Sequence, residues 1–83
     1  MVVLMERRIT VYKAYLTQSL EYLLNDEYIG EFDSEDAAFK AAYTAHQERG
    51  YHVDSYTRGL LHPFGTFYDV GSYTHFIAII PQS

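Results

Sequence analysis

Phe32-Asp33-Ser34-Glu35-Asp36-Ala37-Ala38-Phe39-Lys40-Ala41-Ala42-Tyr43-Thr44-Ala45-His46-Gln47-Glu48-Arg49-Gly50 is a segment in which the start, body and stop of one element agree. Asp33 or Ser34 offers a side-chain oxygen to the unpaired amides of a first helical turn. Glu35 and Asp36 place anions where the helix dipole favours them, and Gly50 supplies a left-handed stop. At about 100° per residue, Ala38, Ala41, Ala42 and Ala45 share one face with Phe39 and His46 at its edge, while Lys40, Thr44, Gln47 and Glu48 point away. The spacing predicts a helix over 34–49 whose alanine stripe lets it lie close on a sheet.

Strand signals flank this helix. From Arg8 to Leu16, Ile9, Val11 and Tyr15 alternate with Thr10, Tyr12, Ala14 and Leu16, which predicts a strand with two usable faces. Tyr12, Leu16, Leu20, Leu23 and Leu24 also fit a helical series. The strand is preferred because Leu20–Leu24 and Tyr28–Phe32 flank Asn25-Asp26-Glu27, a turn sequence that predicts a hairpin feeding into the helix. After Gly50, Tyr51-His52-Val53-Asp54-Ser55-Tyr56-Thr57-Arg58 is rich in β-branched and aromatic residues and predicts a strand docked beneath the helix. Residues 59–72 hold Gly59, Pro63, Gly65 and Gly71 and predict a long connection, with a short strand over Thr66–Val70. Tyr73–Ile80 ends in Phe76-Ile77-Ala78-Ile79-Ile80 before Pro81, an apolar run expected in the middle of the sheet and buried on both faces. The expected fold is therefore α+β, an antiparallel sheet of four to five strands with one helix on one face.

Composition bounds the function. Eighty-three residues make a single small domain with a modest core, its residues 1–7 fraying or extending an edge strand, and Met5 is a second candidate start. There is no cysteine, which removes disulfides and thiolate metal sites. The apolar stretch Met1–Met5 is too short for a membrane span, so a soluble, cytoplasmic protein is expected. A net charge of −5 with six Lys and Arg speaks against direct nucleic-acid binding, which depends on cations replacing counterions. Nine Tyr and five Phe suit half-buried sheet faces and interfaces. One helix covers one sheet face, so the other face is expected to meet a second copy, a partner protein or the loop Leu60–Phe67 folded back over it.

Three constellations compete for chemistry. Glu21, Asp26, Glu27, Glu31, Asp33, Glu35 and Asp36 fall within a stretch free of Lys and Arg between Lys13 and Lys40. Converging on one surface, they would imitate a run of phosphates and occupy a basic groove. Each also has a local reason to be there, as turn, helix start or solvent face. His52 and Asp54, two apart on an extended segment, share a face, and His75 would complete a pocket for acid–base work or a ligand, with His46 and His62 as further candidates. No H-E-x-x-H run, nucleophile elbow or phosphate loop accompanies them, so no metal, cofactor or catalytic residue is assigned. Gly59-Leu60-Leu61-His62-Pro63-Phe64-Gly65-Thr66-Phe67-Tyr68 presents apolar anchors between glycines, as a binding loop does and as the cap of a small core also does. The leading expectation is a non-enzymatic, acidic interaction module, dimeric in form, that regulates or inhibits a partner protein. An accessory protein of a phage or mobile element, acting on a host nucleic-acid-handling defence enzyme, fits that description. Glu27, Glu31, Glu35 and Asp36 serve as its contact charges and Tyr28, Phe64 and Phe67 as its anchors. The alternatives are a small dimeric ligand-binding protein or enzyme built on His52, Asp54 and His75, and a self-assembling structural subunit.

Overall fold

The computed structural model describes residues 10–18, 27–54, 57–72 and 74–82. Within them lie strands β1 (Val11–Thr17) and β2 (Glu27–Phe32), helix α1 (Glu35–Glu48), and strands β3 (Arg58–His62), β4 (Gly65–Asp69) and β5 (Phe76–Gln82). The strands form one five-stranded sheet in the order β2-β1-β5-β4-β3, and every neighbouring pair is antiparallel. The chain is an α+β fold in which, among the described residues, a single helix packs on one sheet face, as the sequence predicts, and β5 is the central strand.

The helix begins where capping chemistry places it. The Ser34 side chain accepts the Ala37 N–H at 3.1 Å, and Glu35 and Asp36 occupy the first turn. At its other end the Gly50 N–H bonds Gln47 O at 2.9 Å and the Tyr51 N–H bonds His46 O at 3.1 Å. These paired bonds define a Schellman motif, and Gly50 supplies its left-handed residue at φ 75°. The motif's apolar contact is made by Tyr51, whose ring meets the His46 ring edge-on at 5.1 Å.

Ala38, Ala42 and Ala45 bury against Ala14 and Leu16 of β1 and Ile77 and Ile79 of β5. Pairing of Ala14 with Ile79 and of Leu16 with Ile77 puts these four side chains on the same sheet face. Ile77, Ala78 and Ile79 are consecutive and all fully buried, so β5 is covered on both faces. On the opposite face Phe67 pairs with Ala78 and with Leu60, and the His62 ring packs on Phe67 at 4.8 Å.

Two local expectations change, and a third falls on residues outside those described. Tyr51–Asp54 keeps the alternation of a strand, half-buried then exposed, without being one. The Tyr51 N–H closes the helix, and Asp54 is pinned by one bond from its N–H to Val70 O at 2.8 Å, so no ladder forms and β3 starts only at Arg58. Residues 59–72 are not a long loop, because β3 and β4 pair in unbroken register around the turn at Pro63 and Phe64. β2 pairs with β1, with a register irregularity between Ala14 and Tyr15, and the expected hairpin partner Leu20–Leu24 lies outside the described residues.

Candidate functional site

Ring stacking and burial converge where the end of α1 meets the C-terminal end of β1 and the approach to β5. His46 is fully buried, and neither of its ring nitrogens makes a hydrogen bond of good geometry among the described residues, the His75 backbone being the polar group that approaches it. Tyr51 stacks face to face on His75, centroids 3.9 Å apart, and His46 meets both rings edge-on. His75 contacts Gln18 Nε2 at 3.4 Å and Thr74 Oγ1 at 2.6 Å. Burial pushes the His46 imidazole below its ordinary range, with the neighbouring His75 ring adding to the effect and the His75 backbone opposing it. Burial also lowers His75, against an opposing pull from Glu27. Both rings are thereby favoured in their neutral forms. Beside them Arg49 donates from Nε to Glu27 Oε1 at 2.6 Å and from its guanidinium to Ala45 O at 2.9 Å, placing a cation at the negative end of the helix.

A cleft of about 480 Å³ opens beside the helix, lined by Phe39, Lys40, Tyr43, Thr44, Asp54 and Thr57. Phe39 packs on Tyr43 and edge-on to Tyr68 of β4 at 4.7 Å. Burial and the nearby Glu35 push the Tyr68 phenol above its usual range. Asp54 is held at the cleft by its backbone bond and by His52, whose Nε2 lies 3.2 Å from Asp54 Oδ1. Among the described residues no group of three His, Cys, Asp or Glu is placed to hold a metal ion.

The sequence-nominated residues separate into distinct places. His52 and Asp54 do come together, whereas His75 belongs to the stacked cluster with Tyr51. Of the acids, Glu27 sits beside the helix C-terminus, and Glu35 and Asp36 sit at its N-terminus, about 20 Å away along a helix of this length. Glu31 faces Lys13 on the other side of the sheet, 3.8 Å away, and Asp36 pairs with Lys40 at 3.0 Å. Tyr28 is 51% exposed, with its ring tilted against Tyr15, and Phe64 at the β3–β4 turn is 64% exposed. Phe67, nominated as an exposed anchor, is 1% exposed and serves the core instead. Leu61 is 94% exposed, a feature that the loop composition contained but did not single out. Compared with protein-family models, curated proteins and solved structures, the chain matches none of them. No helix among the described residues is long and apolar enough to cross a membrane.

Proposed function

We propose that this chain is a small, acidic, non-enzymatic interaction module that binds another protein and regulates or inhibits it. The observation that supports this is Phe64, a large apolar ring held in solvent at the tip of a two-residue turn. The turn is fixed by the pairing of His62 with Gly65 and by the contact of the Phe64 N–H with His62 Nδ1 at 3.3 Å. A rigid aromatic presented in this way loses little entropy on entering a partner's pocket, which is the property of an interface anchor. Tyr28 is a second exposed ring on the β2 edge. The acids on β2 and at the helix start give the chain an attraction for a basic partner, such as a nucleic-acid-handling enzyme targeted by a phage or mobile-element protein.

The test immobilises the wild-type chain, a Phe64→Ser variant and a variant carrying Glu27→Gln, Glu31→Gln, Glu35→Gln and Asp36→Asn. Each is challenged with lysate, and any protein retained is then purified and titrated directly. Loss of an anchor is expected to weaken binding at least tenfold. Loss of the acids is expected to slow association and flatten its salt dependence. Equal affinity for all three chains would remove both surfaces from consideration. The cleft beside Asp54 supports a second reading, a small-ligand site oriented by the His52–Asp54 pair. A ligand-induced rise in melting temperature that disappears in His52→Ala would favour it.

A further inference from the structure

Among the described residues the sheet has two outer strands, and they are built differently. An unpaired strand edge invites pairing with another chain, and proteins guard such edges with charges, proline or irregular register. β2 carries Glu27 and Glu31 and an irregularity in its pairing with β1. β3, Arg58-Gly59-Leu60-Leu61-His62, contains no acid and no proline and pairs with β4 in unbroken register. Its one full cation, Arg58, lies at its first position and approaches Asp69 at 3.7 Å. In mid-strand, Leu61 is almost wholly open to solvent.

We propose that β3 pairs antiparallel with β3 of a second copy of this chain, about a two-fold axis through Leu60, so that two sheets join into one. This assembly uses the open edge of β3, whereas the partner surface proposed above centres on Phe64 in the turn that follows it. The register follows from the strand itself. Only with Leu60 facing Leu60 of the second copy do all five residues of both strands enter the ladder. Sliding toward the turn would bring in Pro63, which has no N–H to donate.

In this register Arg58 faces His62 of the second copy, and Gly59 faces Leu61. The pairing of Gly59 with a leucine is the self-complementary step. Gly59 is exposed beside the ring of its β4 partner Tyr68, whose Cε1 is 3.5 Å from where a Cβ would stand. With no side chain at Gly59, the incoming Leu61 lies across the strand and meets the Tyr68 ring, and the symmetric contact forms with the roles exchanged. Charge favours this edge as well. Each copy carries a net −5, but Glu27 and Glu31 lie on β2, at the opposite side of the sheet order, while Glu35 at the start of α1 approaches Tyr68 of β4. Two copies therefore meet along the outer strand that carries no acid. Because the contact is one short strand and a leucine, the dimer dissociates on dilution.

The test measures the mass of the full chain by light scattering and sedimentation over a dilution series. The wild type is expected to move from monomer to dimer as concentration rises. Leu61→Lys, at an open position, is expected to remain monomeric with unchanged circular dichroism and melting. Because the chain has no cysteine, Leu60→Cys introduces a single thiol, and a short bis-thiol crosslinker is expected to trap this variant as a dimer and to leave Glu31→Cys on β2 monomeric. A monomer at every concentration, a dimer indifferent to Leu61→Lys, or trapping through Glu31→Cys in place of Leu60→Cys would overturn the proposal. So would Leu61-dependent binding only to a foreign strand.

Discussion

Replacing His46 with phenylalanine tests what the structure says about the helix–sheet junction. The wild-type imidazole is fully enclosed, and neither nitrogen makes a hydrogen bond of good geometry among the described residues. A buried donor left without an acceptor costs about 1–3 kcal/mol. Phenylalanine removes the polar atoms and keeps a ring against Tyr51, so His46→Phe is expected to raise stability by about 1 kcal/mol at pH 8. The acid side carries a second expectation. Both His46 and His75 have folded pKa values depressed below the ordinary 6.5, so the folded state holds them neutral where the unfolded chain binds protons. Their contribution is therefore fully present above pH 6.5 and is lost as pH falls through the depressed folded values. Each proton taken up on unfolding tilts stability by about 1.4 kcal/mol per pH unit. The wild type should lose stability below pH 6.5 with up to two such protons, and His46→Phe with one fewer. Urea denaturation at pH 8, 7, 6 and 5.5, about the reference value for histidine, yields the proton count from the slope. An unchanged slope in His46→Phe would refute the assignment of a neutral, buried His46.

Other expectations follow from single contacts. A Cβ at Gly65 would stand 2.2 Å from the Ile79 carbonyl oxygen, and backbone cannot yield as a side chain can, so Gly65→Ala should cost about 3 kcal/mol by thermal melting; a near-normal melt would mean that β4 and β5 lie farther apart. Gly50 takes φ 75° with open space around it, so Gly50→Ala should cost only the left-handed backbone penalty, about 1 kcal/mol in urea. Ser34→Ala should lose about 1 kcal/mol with the cap, and Ser34→Asp should retain that stability at neutral pH.

The helix was legible because its signals are local. Cap, acidic first turn, alanine stripe and terminal glycine each refer to neighbours within a few residues. The central place of β5 was legible for a different reason, since three consecutive apolar residues cannot alternate between core and solvent. Tyr51–Asp54 misled because alternation reports which side chains are buried and is silent about whether a neighbouring strand supplies hydrogen bonds. Tyr51 and Val53 pack against the core in an extended segment whose amide at Tyr51 is already committed to the helix end. The β3–β4 hairpin was hidden by its own punctuation. Pro63 makes the turn and Gly65 permits close approach to β5, so these two residues that suggested a loop are explained by the pairing they allow. The candidate site was less legible still. His46, Tyr51 and His75 lie apart in sequence, and nothing in their spacing announces that their rings meet. Burial likewise separates Phe64 from Phe67, which sit in one stretch of similar composition.

The position of β5 between β1 and β4 also sets the order of events during folding. The β1–β2 and β3–β4 pairs join segments close along the chain and can form early, but each alone has little to bury. Val11 meets Gln82 and Thr17 meets Phe76, so the central pairing closes a loop that contains most of the described residues. That closure spends chain entropy before the apolar contacts repay it, which places the chain among slow, high-contact-order folders. Until β5 slots in, the edges of β1 and β4 stand open together, and it is in this interval that the chain is most exposed to pairing with the wrong strand.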